Sequence, residues 1–357
     1  MNTLDQMIER SHERVCFHQD EKTGLRAIIA IHSTALGNAL GGTRRWRYAT
    51  EADALYDVLR LSEGMTYKAA CAGLAMGGAK SVILLPTSDH PLSEAEARAM
   101  GQFVDTFNGD YIAAEDVGVT PQFIDWMALE TDHVMGGETV STGGDPSPHT
   151  AHGVVNAMKA CLAHLGKPVD FSGLHVAVQG VGSVGRNIVQ ILIEAGARCT
   201  VADVSEKKVK RVVDEYGVDA VSPGDILSTE CDILAPCALG GVIDGNIARR
   251  LRCPIVCGSA NNVLDDPDED AAMLGNLGIL YTPDFVANAG GLIELAGLYL
   301  GFTEKELARK VEEIEETTKD ILQAASDHSS THAAAVAMAC ERIRQGVSSR
   351  EQVGTEA

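Results

Sequence analysis

The second half of the chain alternates short apolar runs with amphipathic stretches. The apolar runs between residues 175 and 282 are HVAVQG, RCTVADV, DILAP, PIVCG and GILYT. Apolar strands that alternate with helices are typical of a parallel sheet with right-handed crossovers and helices on both faces. This half is therefore predicted to be an α/β domain built on a parallel sheet.

The first half combines strands and helices in a less regular order. Apolar runs predict strands over 25–32, 81–85 and 111–114. Capping residues mark the predicted helix starts, which are Thr50 with Asp53, Ser93 with Glu96, Thr120 with Pro121 and, near the carboxyl end, Thr303 with Glu306. A last helix is predicted over 331–345, and the turn formers GGDPSP at 143–148 predict a hinge between the two patterns.

Composition and charge narrow the class of protein. A length of 357 residues favours two domains, and 45% hydrophobic with 22% charged residues is typical of globular chains. The formal net charge of −21 repels phosphate backbones, so neither nucleic acid nor an anionic membrane is an expected partner. The N-terminal MNTLDQMIERSHERV lacks the apolar segment of a signal peptide. The nine cysteines include no C-x-x-C pair, so we expect a cytoplasmic protein without disulfides or a metal site.

A glycine-rich turn follows the first strand of the second half. Strand LHVAVQ runs into GVGSVG, and a helix begins near Arg186. In a dinucleotide-binding fingerprint such glycines give a tight turn, close approach to the pyrophosphate and close helix packing. Asp203 ends the next strand at the offset of a ribose-binding acid, and its charge favours NAD over NADP. The predicted cofactor-binding residues of this motif are Gly180, Val181, Gly182, Ser183, Val184, Gly185 and Asp203.

Two lysines of the first half lie among small and apolar residues. Lys68 follows MTY and Lys80 follows GGA, whereas Asp116 comes directly after the predicted strand YIAA and one further acid. The lysines are either surface residues with buried stems or a functional pair. Two cations in one pocket lower each other's pKa, which prepares one as a base and leaves the other to hold a carboxylate.

Nine sequence blocks connect these residues to a known family. They are LGGTR, GMTYKAACAGL, GGAK, AEDVG, GDPSP, QGVGSVG, CDILAPCALGG, GSANN and PDFVANAGG, and they occur in family order from about residue 25 to 295. With them the chain resembles the Glu/Leu/Phe/Val dehydrogenase family, in its branch of leucine, valine and phenylalanine dehydrogenases. The resemblance implies an α/β substrate-binding and oligomerisation domain over 1–140, joined by C-terminal helices at about 325–350, and a Rossmann NAD-binding domain over 141–324. It also implies a homo-oligomer, either a dimer or an octamer.

The resemblance also implies roles for single residues. Lys68 would hold the substrate α-carboxylate, Lys80 would be the general base that activates water, and Asp116 would exchange a proton with the substrate amine. Further implied contacts are Gly41 and Gly42 with the reacting carbon, Met65 with the carboxylate, and Thr150, Ala260, Asn262 and Asn288 with the nicotinamide ribose, its amide or the carboxylate. From the residues alone, Asn262 is equally a turn residue. The implied reaction is reversible oxidative deamination of an L-amino acid by NAD to a 2-oxo acid and ammonia.

The implied side-chain pocket is apolar. Its residues are Leu40, Ala114, Leu292 and Leu295, with no cation to neutralise a side-chain carboxylate. This favours a branched aliphatic substrate over glutamate and leaves phenylalanine or tryptophan as the alternative. Glu294 departs from the family, which usually has a neutral residue there, and is either a helix-surface acid or a polar element near the pocket.

Two other function classes make different predictions. A non-catalytic NAD-binding protein would have lost a lysine of the pair or Asp116, and none is lost. A 2-hydroxy-acid dehydrogenase would need a histidine with an acid partner. The histidines near the predicted hinge, His149 and His152, have no acid partner that the sequence makes evident.

Overall fold

The structure, a computed structural model, describes residues 2–141, 144–238 and 240–354. Gly143 of the predicted hinge and Leu239 of the CDILAPCALGG block lie outside the described residues. The chain forms two compact units, of which the first contains Met1–Gly144, Leu295–Gly301 and Ala339–Ala357, and the second contains Asp145–Glu294 and Phe302–Met338.

The first unit is built on a mixed sheet. Its helices and strands are α1 (Thr3–Arg10), β1 (Arg14–Asp20), β2 (Leu25–Ser33), β3 (Ala39–Trp46), α2 (Glu51–Cys71), β4 (Gly77–Leu84), α3 (Glu94–Asp105), β5 (Tyr111–Glu115) and α4 (Pro121–Met127). The five strands are ordered β1-β2-β4-β3-β5, and β3 runs parallel to both β4 and β5. Strand β3 therefore lies between the two strands that carry Lys80 and lead to Asp116.

Strand β4 begins at Gly77, earlier than the predicted start at Ser81. The pattern misses these residues because Gly77 and Gly78 have no apolar side chain to indicate a strand. Their smallness has a packing reason, since a Cβ on Gly78 would lie 2.1 Å from the backbone nitrogen of Thr66 in α2. The longer strand places Lys80 inside the sheet and not in front of it.

Capping side chains begin the helices largely as predicted. Caps at Thr50, Thr120 and Thr303 are all present. Ser93 accepts a hydrogen bond from the Glu96 amide, but the reciprocal half of that capping box is missing. The Glu96 carboxylate instead accepts a hydrogen bond of 2.7 Å from buried Arg45.

The second unit is a Rossmann-like α/β layer structure. Its elements are α5 (Ser147–His164), β6 (His175–Gln179), α6 (Ser183–Glu194), β7 (Arg198–Ala202), α7 (Glu206–Tyr216), β8 (Asp219–Ala220), β9 (Ile233–Pro236), α8 (Gly245–Ala248), β10 (Ile255–Val256), α9 (Pro267–Asn276), β11 (Leu280–Tyr281) and α10 (Asp284–Ala287). The six strands pair in parallel in the order β11-β10-β9-β6-β7-β8. All five predicted strands are confirmed, and only β8, two exposed residues long, was missed. The strand order reverses at β6, where open α/β sheets bind ligands.

Three helices complete the chain, and they are α11 (Gly290–Leu300), α12 (Glu304–Ala324) and α13 (Thr331–Gly354). Helix α12 packs along α5 in the second unit, where the Asn156 amide donates to the Val311 carbonyl. The end of α13 belongs to the first unit, and its Arg342 donates to the carbonyls of Ala70 and Cys71 at the carboxyl end of α2. Among the described residues, no helix is both long and apolar enough to cross a membrane.

A buried histidine pair packs beneath α2. The His12 Nε2 atom lies 3.1 Å from the Leu59 carbonyl and 2.9 Å from the Ser62 hydroxyl, and its ring meets that of His32 edge to face. Burial, with the nearby His32, lowers the pKa of His12 to about 3. The folded protein therefore holds a neutral imidazole under conditions in which an unfolded chain binds a proton.

This difference predicts acid sensitivity. Below the unfolded pKa of about 6.5, protonation favours the unfolded chain, so stability falls until the pH reaches the folded pKa. We expect the thermal midpoint to fall less between pH 7 and pH 5 in His12→Asn than in the wild type, although the variant starts lower. The exposed His328→Asn is the matched control. Equal pH slopes for wild type and His12→Asn would contradict this account.

Candidate active site

Lys80, buried in β4, forms an ion pair with the half-buried Asp116, which follows the edge strand β5. The Lys80 Nζ atom lies 2.9 Å from Asp116 Oδ2, and the lysine side chain is 7% exposed. Gly42 of β3 lies against both residues, since a Cβ there would be 3.1 Å from Lys80 Nζ and 2.8 Å from Asp116 Cβ. Only glycine leaves this pair the room it occupies.

The ion pair extends into a charged network that the sequence analysis missed. Arg44 Nε donates to the same Asp116 oxygen at 3.0 Å, while its NH1 nitrogen donates to Asp57 at 2.9 Å. The Tyr48 hydroxyl also donates to Asp57, at 2.7 Å. Two signals could have found these residues. Arg44 follows Gly42 by two positions and so shares its face of the strand, and Asp57 precedes Lys68 by three helical turns.

The environment shifts the pKa values of the central pair. Burial lowers the pKa of Lys80, the Asp116 carboxylate opposes this, and Arg44 lowers it further. Burial would raise the pKa of Asp116, but the Lys80 and Arg44 cations bring it down to about 2. The sequence predicts a second lysine as a cause of the lower pKa of Lys80. In the structure burial is the largest cause, and Arg44 is a nearby cation that adds to it.

The other predicted substrate residues of the first unit lie on β3, β5 and α2 and at Leu295. Leu40 and Ala114 are buried in adjoining strands, and a Cβ on Gly41 would meet the Ala79 carbonyl at 1.7 Å. Met65 and Lys68 are half-buried in the last turns of α2, the helix that packs on β4. In the same unit, Leu295 lies beside Gly136, close to the end of β5. Their contact with a substrate stays a prediction.

The three fingerprint glycines have three different geometries. Gly180 has φ +93°, which few side chains tolerate, and a Cβ on Gly185 would lie 2.0 Å from the Gly180 carbonyl oxygen. A Cβ on Gly182, in contrast, would meet no described atom within 4 Å. Gly182 also begins α6 without a side-chain cap. The open space above it and the amides of Ser183 and Val184 fit a pyrophosphate.

The Asp203 carboxylate is hydrogen-bonded to the backbone of the glycine-rich turn. It accepts hydrogen bonds from the Val181 amide at 2.9 Å and from the Ser205 amide at 2.8 Å. An acid in this place can accept from a ribose hydroxyl, and its charge disfavours a 2′-phosphate. The sequence analysis predicted the ribose contact but not the bond that orders the turn.

Four further predicted cofactor residues, Thr150, Ala260, Asn262 and Asn288, lie in the second unit. Asn288 donates to the Ser259 carbonyl and the Asn261 side chain, whereas its buried Oδ1 atom has no hydrogen-bond partner among the described residues. An orphaned acceptor of this kind fits a carboxamide donor such as that of nicotinamide. The other predicted contacts in this unit are Ala260, bonded through its amide to the Pro236 carbonyl, Asn262, a turn residue with φ +52°, and Thr150, bonded to the Pro146 carbonyl.

His149 has an acid partner, contrary to the expectation from sequence. Its Nδ1 atom lies 2.7 Å from Glu294 Oε2, and the glutamate side chain is 6% exposed. Sequence could not show this, because α5 and α11 bring together residues 145 positions apart. The histidine–acid pair that a hydroxy-acid dehydrogenase would need is therefore present, and the expectation that it is missing was wrong. Leu292, on the same helix as Glu294, is buried.

Comparison with known proteins decides the family. Residues 12–133 match the family model described as Glu/Leu/Phe/Val dehydrogenase, dimerisation domain, and residues 200–350 match that of Glutamate/Leucine/Phenylalanine/Valine dehydrogenase. The chain belongs to this family of amino-acid dehydrogenases. The predicted family and two-domain α/β fold are thereby confirmed.

Individual relatives cover nearly the whole chain. It is 44% identical to the leucine dehydrogenase of Geobacillus stearothermophilus, over 96% of this chain and 94% of the relative. It is 40% identical to the phenylalanine dehydrogenase of Lysinibacillus sphaericus, over 95% and 90%. The crystal structure of L-tryptophan dehydrogenase from Nostoc punctiforme superposes with a TM-score of 0.85 at 38% identity, covering 96% of this chain and 99% of that one.

The glycine geometry predicts how the fingerprint responds to an added methyl group. Gly182→Ala should fold normally, because its Cβ meets open space, yet should weaken NADH binding by about tenfold or more, because the methyl enters the space for the phosphates. Gly275→Ala in α9 also meets open space and should change neither property. NADH titration by calorimetry and thermal unfolding test this. Normal NADH affinity in Gly182→Ala would refute the assignment.

Proposed function

We propose that this enzyme catalyses the reversible NAD-dependent oxidative deamination of a branched-chain L-amino acid to its 2-oxo acid and ammonia. The observation that carries the proposal is the buried Lys80–Asp116 pair beneath Gly42, in a chain most of whose length matches leucine dehydrogenases. A desolvated lysine with a lowered pKa is suited to a base near neutral pH.

The two charged side chains have separate tasks in this proposal. NAD, when bound, would supply the acceptor for the hydride that leaves the substrate Cα, and the turn at Gly182, the Asp203 carboxylate and Asn288 would hold it. Neutral Lys80 takes a proton from the water that attacks the resulting iminium carbon, which yields a carbinolamine. Asp116 passes a proton of the substrate ammonium to solvent before the hydride leaves, and it later passes the proton held by Lys80 to the carbinolamine nitrogen. The C–N bond then breaks, ammonia departs, and the hydroxyl proton goes to Lys80 as the C=O bond of the 2-oxo acid forms. Lys68 holds the α-carboxylate throughout. Gly41 and Gly42 let the reacting carbon approach the sheet backbone.

The proposed substrate preference rests on the apolar set Leu40, Ala114, Leu292 and Leu295. These four residues supply no cation for a side-chain carboxylate, which disfavours glutamate. The identity to leucine dehydrogenases supports a leucine- or valine-like substrate. Phenylalanine or tryptophan is the alternative, which the similarity to phenylalanine and tryptophan dehydrogenases favours.

The working context proposed here is a cytoplasmic homo-oligomer, a dimer or an octamer. All nine cysteines are free thiols, as is usual in a reducing compartment. The family model that matches residues 12–133 is described as a dimerisation domain, which supports an oligomer. Light scattering of the purified protein would measure the number of subunits.

A substrate panel tests the proposal. NADH formation should be fastest with L-leucine, L-valine or L-isoleucine, and slower by about tenfold or more with L-phenylalanine, L-tryptophan and L-glutamate. Lys80→Ala should lose about a hundredfold or more of kcat and still bind NADH, because the base acts on water. Lys305→Ala, an exposed lysine of α12, is the control. The proposed function would be overturned if a 2-hydroxy acid were oxidised faster than every amino acid tested. It would also be overturned if Lys80→Ala kept about a tenth or more of the wild-type kcat.

Asp203 variants test the cofactor preference. Asp203→Ala should weaken NAD binding and narrow the preference for NAD over NADP, because it removes both an acceptor and a repulsive charge. It should also lower the thermal midpoint, since the bond to the Val181 amide is lost. Asp203→Asn keeps an acceptor for that amide, so it should narrow the preference with a smaller loss of stability. An unchanged NAD/NADP ratio of kcat/KM in both variants would place the ribose elsewhere.

A further inference from the structure

Arg44 bridges two carboxylates next to the proposed base. One nitrogen of its planar guanidinium meets Asp116 at 3.0 Å and another meets Asp57 at 2.9 Å. Arg44, Asp57 and Asp116 have side chains between 15% and 23% exposed, so water screens these contacts only partly. A guanidinium that is hydrogen-bonded to two carboxylates has a fixed orientation, and it therefore also fixes the orientation of each carboxylate.

We propose that Arg44 is a positioning residue that holds Asp116 in place and returns it to its ionised form between proton transfers. The inference rests on the proposed function, which makes Lys80 the base.

The lysine–aspartate pair by itself does not keep Asp116 ionised through the reaction. When Lys80 acts as a base it must first be neutral, and Asp116 then loses the ammonium group 2.9 Å away. A partly buried carboxylate without a counter-ion binds a proton more readily. Asp116 would then hold the proton that should pass between substrate, water and lysine. A second, permanent cation on the same oxygen prevents this.

Arginine meets that requirement because its guanidinium stays protonated at every pH at which the enzyme could work. The Arg44 Nε contact to Asp116 Oδ2 therefore remains when Lys80 is neutral. The same positive charge disfavours a protonated Lys80, which lowers the pKa of the base. Arg44 thus acts on both proton-transferring residues with one charge.

The remaining ionisable groups around Arg44 determine the sign of each test. Asp57 lies behind it on α2 and raises the pKa of Lys80, opposing Arg44. The Tyr48 hydroxyl and Arg60 also contact Asp57, at 2.7 Å and 3.5 Å. Removing Arg44 and removing Asp57 should therefore move the ionisation of Lys80 in opposite directions.

The adjoining residue provides a matched control. Arg45 points to the other face of β3, where its buried side chain pairs with Glu96 at 2.7 Å and donates to the carbonyls of His90 and Pro91. It is as well bonded as Arg44 but takes no part in the Asp116 network. Arg45→Gln should reduce stability and leave the ionisation of Lys80 unchanged.

The experiment measures the pH profile of kcat/KM for one amino acid at saturating NAD, in wild type, Arg44→Gln, Arg44→Lys, Asp57→Asn and Arg45→Gln. Relative to wild type, the ionisation should move upward by about one pH unit in Arg44→Gln and downward in Asp57→Asn. It should return toward the wild-type position in Arg44→Lys. Arg45→Gln should keep the wild-type profile despite a lower thermal midpoint.

A second readout does not need turnover. Competitive acetylation of Lys80 across the same pH range, quantified by mass spectrometry, reports its ionisation directly and should shift in the same directions. An unmoved ionisation in Arg44→Gln, or shifts of one sign in Arg44→Gln and Asp57→Asn, would overturn the proposal. If Arg44→Gln does not fold, Asp57→Asn still tests the proposal: a downward shift of the Lys80 ionisation supports it, and an upward shift contradicts it. A wild type that oxidises no amino acid would refute the proposed function instead, while the acetylation shifts would remain as a separate result.

Discussion

The first unit depends on one constraint, which is that an ammonium group buried in a sheet must have a partner. Lys80 occupies the middle of β4, and a partner can reach it only from the neighbouring strands or the helix packed on them. Asp116 directly follows the end of β5, and Gly42 of β3 leaves the space that the Lys80 and Asp116 side chains fill. Burial costs the charged form free energy. The same burial that requires the partner therefore also lowers the pKa of Lys80 and makes it usable as a base.

Glycine serves opposite purposes in the two units. In the first, Gly41 and Gly42 lie so close to other atoms that any side chain would collide with the backbone or with the ion pair. In the second, Gly182 faces space that no described atom fills, beside two glycines that are sterically required. A glycine forced by neighbouring atoms reports on the fold, whereas a glycine next to open space at a helix start points to a ligand. Motif matching alone does not separate these cases.

Sequence was sufficient where the signal is local. The parallel sheet of the second unit, the caps at Thr50 and Thr303 and the glycine fingerprint all follow from patterns a few residues long. It was insufficient where partners are distant along the chain. The Arg44–Asp116 contact spans 72 positions and the His149–Glu294 contact spans 145, and both pairs are defined only by folding. Hence Lys80 and Asp116 could be singled out from the sequence, whereas the pairing of Arg44 with Asp116 became evident only in the structure.

Charge balance in the network clarifies the strong overall acidity. With Lys80 protonated, the three cations Lys80, Arg44 and Arg60 exceed the two anions Asp57 and Asp116 by one, so the network is positive although the chain carries −21. The excess acidity therefore lies outside this network. Lys68 in its proposed role adds a further positive charge, and a positive balance next to Lys80 suits the binding of an α-carboxylate. The network charge therefore does not by itself reject a second carboxylate, and the case against acidic amino acids rests on the apolar character of the proposed side-chain pocket.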